Sequence, residues 1–203
     1  MNGLITILSL GGLLCFCTGC HGVPTSPTRA QTPSTSGSSL SVHLSQSSTV
    51  ALQHDFCIAT THLSGDQEVP PRETPARGQF QLQVGPSWAT YRLIVANIEN
   101  VVAAHIHLGS PGSVGPRVVS LYTGPPGAGS FNGILADGTI TSADFITVFE
   151  GQPWSVFAEA LASGSLYVNV HTNDGIPPID TGPGDFGPLG EIRGHLDPHT
   201  PCR

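Results

Sequence analysis

Four histidines carry the most suggestive chemistry in the chain. His105 and His107 stand in Val102-Ala103-Ala104-His105-Ile106-His107, His171 ends Leu166-Tyr167-Val168-Asn169-Val170-His171, and His195 lies in Gly190-Glu191-Ile192-Arg193-Gly194-His195. Side chains alternate along a strand, so His-X-His projects two imidazoles from one face. Two such rings, joined by one or two more from neighbouring strands, form a ligand set suited to copper or zinc. The same alternation points Tyr167, Asn169 and His171 together, and Glu191, Arg193 and His195 together. If these three strands are neighbours, the four histidines converge with Asn169, Glu191 and Arg193 among them. The competing reading needs no cofactor: a hydrogen-bonded polar row on an exposed sheet face, with Glu191 and Arg193 paired across strands.

The elements that must position these residues are short apolar runs at 57–63, 79–84, 89–96, 101–108, 117–121, 133–140, 166–172 and 190–196, separated by Gly, Pro, Asn and Asp. Runs of this length with turn chemistry between them predict an all-β fold, an antiparallel Greek-key-like sandwich or barrel. One interruption, at 142–163, predicts a short helical connection packed on a barrel end: Phe145, Ile146, Val148 and Phe149 suit one short helix and Val156–Leu161 another. Trp88 and Trp154 are expected to fill core rather than form a ligand platform.

Upstream of the domain the character changes. Residues 4–16 are almost unbroken apolar, too short to span a bilayer comfortably but suited to a signal-peptide core. Cys17-Thr18-Gly19-Cys20 follows, and small residues before a cysteine resemble a bacterial lipobox, with Cys20 as the lipidated residue. Residues 1–20 are thus read as a signal peptide and 21–54 as a Ser/Thr/Pro-rich stalk with too few large apolar residues to offset the entropy of ordering. Residues 55–203 form the domain. Of the five cysteines, Cys57 and Cys202 remain after the leader and the lipid site, and they bracket the domain. A disulfide between them would close a loop of nearly the whole domain, stabilising it by about 4–5 kcal/mol less strain. The expected location is outside the cytoplasm, lipid-anchored at the cell envelope or secreted, with the lipid as the sole membrane contact.

A net charge of −7, with Arg as the only basic type besides His, provides no basic patch to neutralise phosphates, which excludes nucleic acid as a partner. No catalytic residues are assigned. Asp66 and Glu68 form a carboxylate pair, but Ser64-Gly65-Asp66 followed by Pro70-Pro71 reads as turn chemistry, with carboxylates bonding local backbone. Ser64 lacks the Gly-X-Ser-X-Gly context of a nucleophile elbow.

Four ordered segments resemble the CHRD domain, the module repeated in chordin and found alone in secreted bacterial proteins. They are Leu63-Ser64-Gly65-Asp66-Gln67-Glu68-Val69-Pro70-Pro71, with Thr74, Ala76 and Gly78 after it; the His105–His107 strand with Gly115-Pro116-Arg117-Val118-Val119; the His171 strand; and Gly190-Glu191-Ile192-Arg193-Gly194-His195-Leu196. The resemblance spans Cys57 to Leu196 and implies an all-β fold. The chain departs from that pattern in the long link Asn173–Leu189, which holds Asp174, Asp180, Asp185, four prolines and four glycines. A loop of this length can border a binding face. A similar His-X-His occurs in the copper site of Cu/Zn superoxide dismutases, but the rest of that ligand pattern is absent, so dismutation does not carry over.

Two functions follow as expectations. The first is a binding or structural module for an unidentified envelope or extracellular partner, with no cofactor required. The alternative is a metal-binding or redox protein holding copper or zinc through His105, His107, His171 and His195.

Overall fold

A computed structural model describes residues 56–199. The leader at 1–20 with Cys20, the stalk at 21–54, and Cys202 lie outside the described residues.

The alternation in the sequence becomes nine antiparallel strands: β1 (Cys57–Ser64), β2 (Arg77–Val84), β3 (Trp88–Glu99), β4 (Val101–Leu108), β5 (Arg117–Thr123), β6 (Ser130–Thr141), β7 (Leu166–Thr172), β8 (Ile192–His195) and β9 (Asp197–Pro198). In β2, Phe80, Leu82 and Val84 are buried while Gln81 and Gln83 face solvent. Each large apolar side chain so buried contributes roughly 1.5–3 kcal/mol, and the period of two fixes which set turns inward. The strands run β5-β4-β7-β8-β1-β2-β3-β6 in one sheet, with β9 paired to β1. The sheet curls into a nearly closed barrel, and Tyr91 of β3 donates its hydroxyl hydrogen to the Leu121 carbonyl of β5 at 3.2 Å. β6 pairs with β3 and β7 with β4, so the chain crosses between these pairs in a Greek-key-like path.

The connection at 142–163 is helical, as expected. A capping box joins Thr141 and Asp144 at the first 3-10 turn, and α1 (Trp154–Ala162) follows. Both terminate in packing. Phe145, Phe149, Trp154 and Phe157 form an aromatic cluster, with Trp154 and Phe157 rings 5.0 Å apart and Phe145 and Phe149 rings 5.6 Å apart. Trp154 also donates its indole N–H to the Gly85 carbonyl at 3.2 Å. It is a core residue; Trp88 is only half-buried and packs on Phe56.

Two features of β4 and its neighbours position the histidines. First, β7 pairs with β4 on one side in unbroken register from Ala103 onward, aligning Ala103 with His171, His105 with Asn169 and His107 with Tyr167. Second, β5 pairs with it on the other side through two register shifts, one between Ala104 and His105 and one between Ile106 and His107. An extra residue in one strand locally increases twist and re-aims side chains, so the His-X-His strand is bent at the point where its rings must gather.

The polar row is not the exposed sheet face anticipated from alternation. His105, His107, Asn169, His171 and Arg193 are all buried, at 1–8 % exposure. The long loop at 173–189 and the turn before β5 fold over that side of the sheet. Phe186 of the loop is itself buried, and its backbone N–H donates to Thr172 Oγ1. Alternation tells which residues share a face; it does not tell what covers that face.

Candidate metal centre

The register places His105 and His107 two residues apart on β4, and His171 on β7 opposite Ala103, diagonal to His105. The three rings close a triangle with centroids 5.2 Å (His105–His171), 5.7 Å (His105–His107) and 6.0 Å (His107–His171) apart. One ring nitrogen from each lies within 4.8 Å of the others. Ligands around a single ion bound at about 2.0–2.1 Å would stand closer than this limit, so small side-chain movements suffice to bring them onto one.

Hydrogen bonding fixes which nitrogens are available. His107 Nδ1–H donates to the Gly115 carbonyl at 2.9 Å and His171 Nδ1–H to the Gly187 carbonyl at 2.8 Å. A carbonyl only accepts, so each of these rings carries its proton on Nδ1 and turns a lone pair outward at Nε2. Both Nε2 atoms are buried without a hydrogen-bond partner, and so is His105 Nδ1. A buried polar atom left unsatisfied costs on the order of 1–3 kcal/mol, and the free lone pairs at His107 Nε2 and His171 Nε2, beside the ring of His105, are what a cation would satisfy. The carbonyls behind His107 and His171 are the outer-shell partners that metal-ligating histidines commonly have. Glycine is required at Gly115: a Cβ there would stand 1.6 Å from the Leu108 carbonyl oxygen.

Electrostatics keeps these rings neutral. Burial, then the neighbouring His171 and His107, then Arg117, push His105 down to about 3. Burial pushes His107 down to about 4 against the opposing pull of the Gly115 carbonyl, and it lowers His171 as well. A metal therefore displaces no proton from these rings at neutral pH. Beside the triad opens a cavity of about 420 Å³, walled by Val114, Pro116 and Pro188, with Arg117 on its lining.

His195, expected as a fourth ligand, does not join the triad. The aligned positions His107, Tyr167 and His195 put Tyr167 between the two histidines. His195 Nε2 lies 2.8 Å from Arg193 Nη2, and its ring packs on Tyr167 at 5.4 Å. Arg193 and Asn169 do sit side by side on the polar face, opposite each other in β8 and β7. The Arg193 guanidinium lies 3.5 Å from the centroid of the Tyr167 ring, and Asn169 Nδ2 donates to the Leu189 carbonyl at 2.8 Å. Glu191 departs from the anticipated pairing with this face. It precedes β8, and its carboxylate accepts from Thr74 Oγ1, Thr172 Oγ1 and the Gly184 N–H, tying the base of the 173–189 loop instead.

Glu68 corrects the turn reading most sharply. It is 3 % exposed, and its carboxylate accepts from Asn169 Nδ2 at 3.4 Å, a residue 101 positions away. Burial pushes it up to about 8 against the charges of Arg193 and Arg72. Arg72 in turn pairs with Asp180 of the loop at 3.0 Å and lies over the Phe186 ring. No periodicity in the sequence marks Glu68, because it stands in the irregular segment after β1. Arg117 is brought opposite His107 by the β4–β5 pairing.

A family model for the CHRD domain matches residues 59–176, more than half of the chain. The match includes all three clustered histidines and ends inside the long loop, before β8. Comparison with curated proteins and with solved structures returns no match.

Proposed function

The chain belongs to the CHRD-domain family, and from that membership and the histidine geometry we propose that it is an exported binding module that holds one transition-metal ion, copper or zinc, through His105, His107 and His171. The observation that carries this is the set of three buried, partnerless imidazole nitrogens, two of them with tautomers fixed from behind by backbone carbonyls. Imidazole suits both metals, and the general affinity order favours Cu(II) over Zn(II) at a given site. CHRD domains occur in extracellular and secreted proteins. Among the described residues no helix is long and apolar enough to cross a membrane.

Metal analysis of the protein purified without an affinity tag tests the reading. About one equivalent of copper or zinc is expected, lost in the His105→Ala/His107→Ala double variant. Protein that takes up neither metal on titration overturns it. The proposal includes a lipid on Cys20 and a disulfide between Cys57 and Cys202. Intact-mass measurement with and without reductant checks the disulfide, and an unchanged mass sinks it.

A further inference from the structure

The proposed metal centre has an unbalanced charge. Three neutral imidazoles bring no negative charge to a divalent ion, and Arg117 adds a further cation, its Nη1 3.5 Å from His105 Nε2. The cavity beside the triad contains no Asp or Glu in its lining; Val102, Ala103, Val114, Pro116 and Pro188 make its apolar part. Among the described residues the two ion pairs use Arg72 and Arg92, so no carboxylate neutralises Arg117. The buried carboxylate Glu68 is bonded to Asn169 and faces Arg193 and Arg72. In a chain with an overall charge of −7 this is a local concentration of positive charge facing an apolar-walled opening.

Three protein ligands also leave a coordination position for water or an exogenous group. A divalent ion held only by neutral, buried imidazoles is costly unless its charge is matched. An anion bound to the ion and facing the guanidinium would satisfy both demands. We infer that the His105–His107–His171 metal centre and Arg117 together form a binding site for a small anion, such as a carboxylate or an inorganic monoanion, one end on the metal and the other on the Arg117 guanidinium. The inference rests on the metal reading above. The cavity volume admits a small molecule, and Arg117 lines it together with the three histidines, so one anion can reach both.

Azide is the probe, because its binding to Cu(II) produces a charge-transfer absorption and changes the electron paramagnetic resonance spectrum. Copper-loaded full chain is titrated with azide, as are copper-loaded Arg117→Ala and Arg117→Lys. Saturable one-to-one binding is expected, weakened about tenfold by Arg117→Ala and less by Arg117→Lys, which keeps the charge but not the two-pronged geometry. Copper stoichiometry should be unchanged in both. Arg117 is exposed and the Thr147 contact is to its backbone carbonyl, so these variants should fold, which thermal melts verify. A chain that binds copper but shows no azide spectrum overturns the open anion position. Azide binding equal in wild type and Arg117→Ala overturns the part assigned to Arg117. A chain that takes up no copper overturns the metal reading itself, a distinct result.

Discussion

Two polar clusters lie on the same buried side of the sheet, and they solve the problem of burial differently. In the first, His105, His107 and His171 are neutral, the last two tied to carbonyls at Nδ1, and each ring keeps one buried nitrogen without a partner beside an open cavity. In the second, Glu68, Arg72, Asn169, Arg193 and His195 engage one another. Arg193 rests on Tyr167 and contacts His195, Glu68 takes Asn169, and Arg72 pairs with the loop. Tyr167 touches both, stacking on His107 at 4.9 Å while carrying the Arg193 guanidinium. A neutral imidazole can be buried with one atom unsatisfied at modest cost, whereas a buried guanidinium must be matched or the fold suffers. Unfinished hydrogen bonding therefore means something different in each cluster: in the first it marks a place for a ligand, and in the second it sits within a network that ties the loop to the barrel.

The widest separation between the clusters should appear on changing one histidine from each. His171→Ala is expected to lower copper affinity by about a hundredfold or more, whereas His195→Ala leaves it within about twofold, as competition titration with a chromophoric chelator would show. Equal losses would mean that the clusters are one site.

Arg193→Ala reverses the pattern. Removing a buried cation from the Tyr167 ring and from beside Glu68 should destabilise the domain by about 3 kcal/mol in urea denaturation, with metal stoichiometry retained.

The pH response divides the clusters by sign. His105 and His107 are held near 3 and 4, below the usual 6.5, so the unfolded chain binds more protons than the folded one between those values. The stability of the metal-free protein should be complete above pH 6.5 and fall as the pH drops toward 4. Glu68 is held near 8, above the usual 4.5, so the folded chain binds the extra proton and stability should fall as pH rises from 4.5 to 8. Glu68→Gln should remove that second slope and raise the melting temperature at pH 8 by about 3 °C. A variant with the wild-type slope would show that Glu68 is ionised throughout.

The smallest effect belongs to the pin between loop and barrel. Asp180→Ala removes a partly exposed ion pair with Arg72 and should cost less than about 1 kcal/mol. Its informative readout is metal release, expected to quicken a few-fold because the same loop supplies the Gly187 carbonyl to His171.

Much of the frame is legible in the sequence. The eight apolar runs became strands near their anticipated bounds, since alternation and turn residues are local signals. His105 and His107 were readable as a pair for the same reason, and His171 through its place in a strand with polar alternation. What alternation cannot contain is neighbour order. His195 shares the polar periodicity yet stands beyond Tyr167, because β7 lies between β4 and β8. The burial of Glu68 is not legible because irregular backbone has no period from which burial can be inferred, whereas the length of the 173–189 loop does mark it as a candidate border of the site.

Consider finally the two carbonyls behind His107 and His171. They belong to the main chain at Gly115 and Gly187, so the identity of neighbouring side chains cannot delete them. Alanine scanning around the triad would pass over these two supports, and a substitution at Gly115 would register as a steric defect against Leu108 rather than as the loss of an orienting acceptor. What aims these two rings is the path of the backbone, and only a change of that path, such as a deletion or lengthening within a turn, can turn them away.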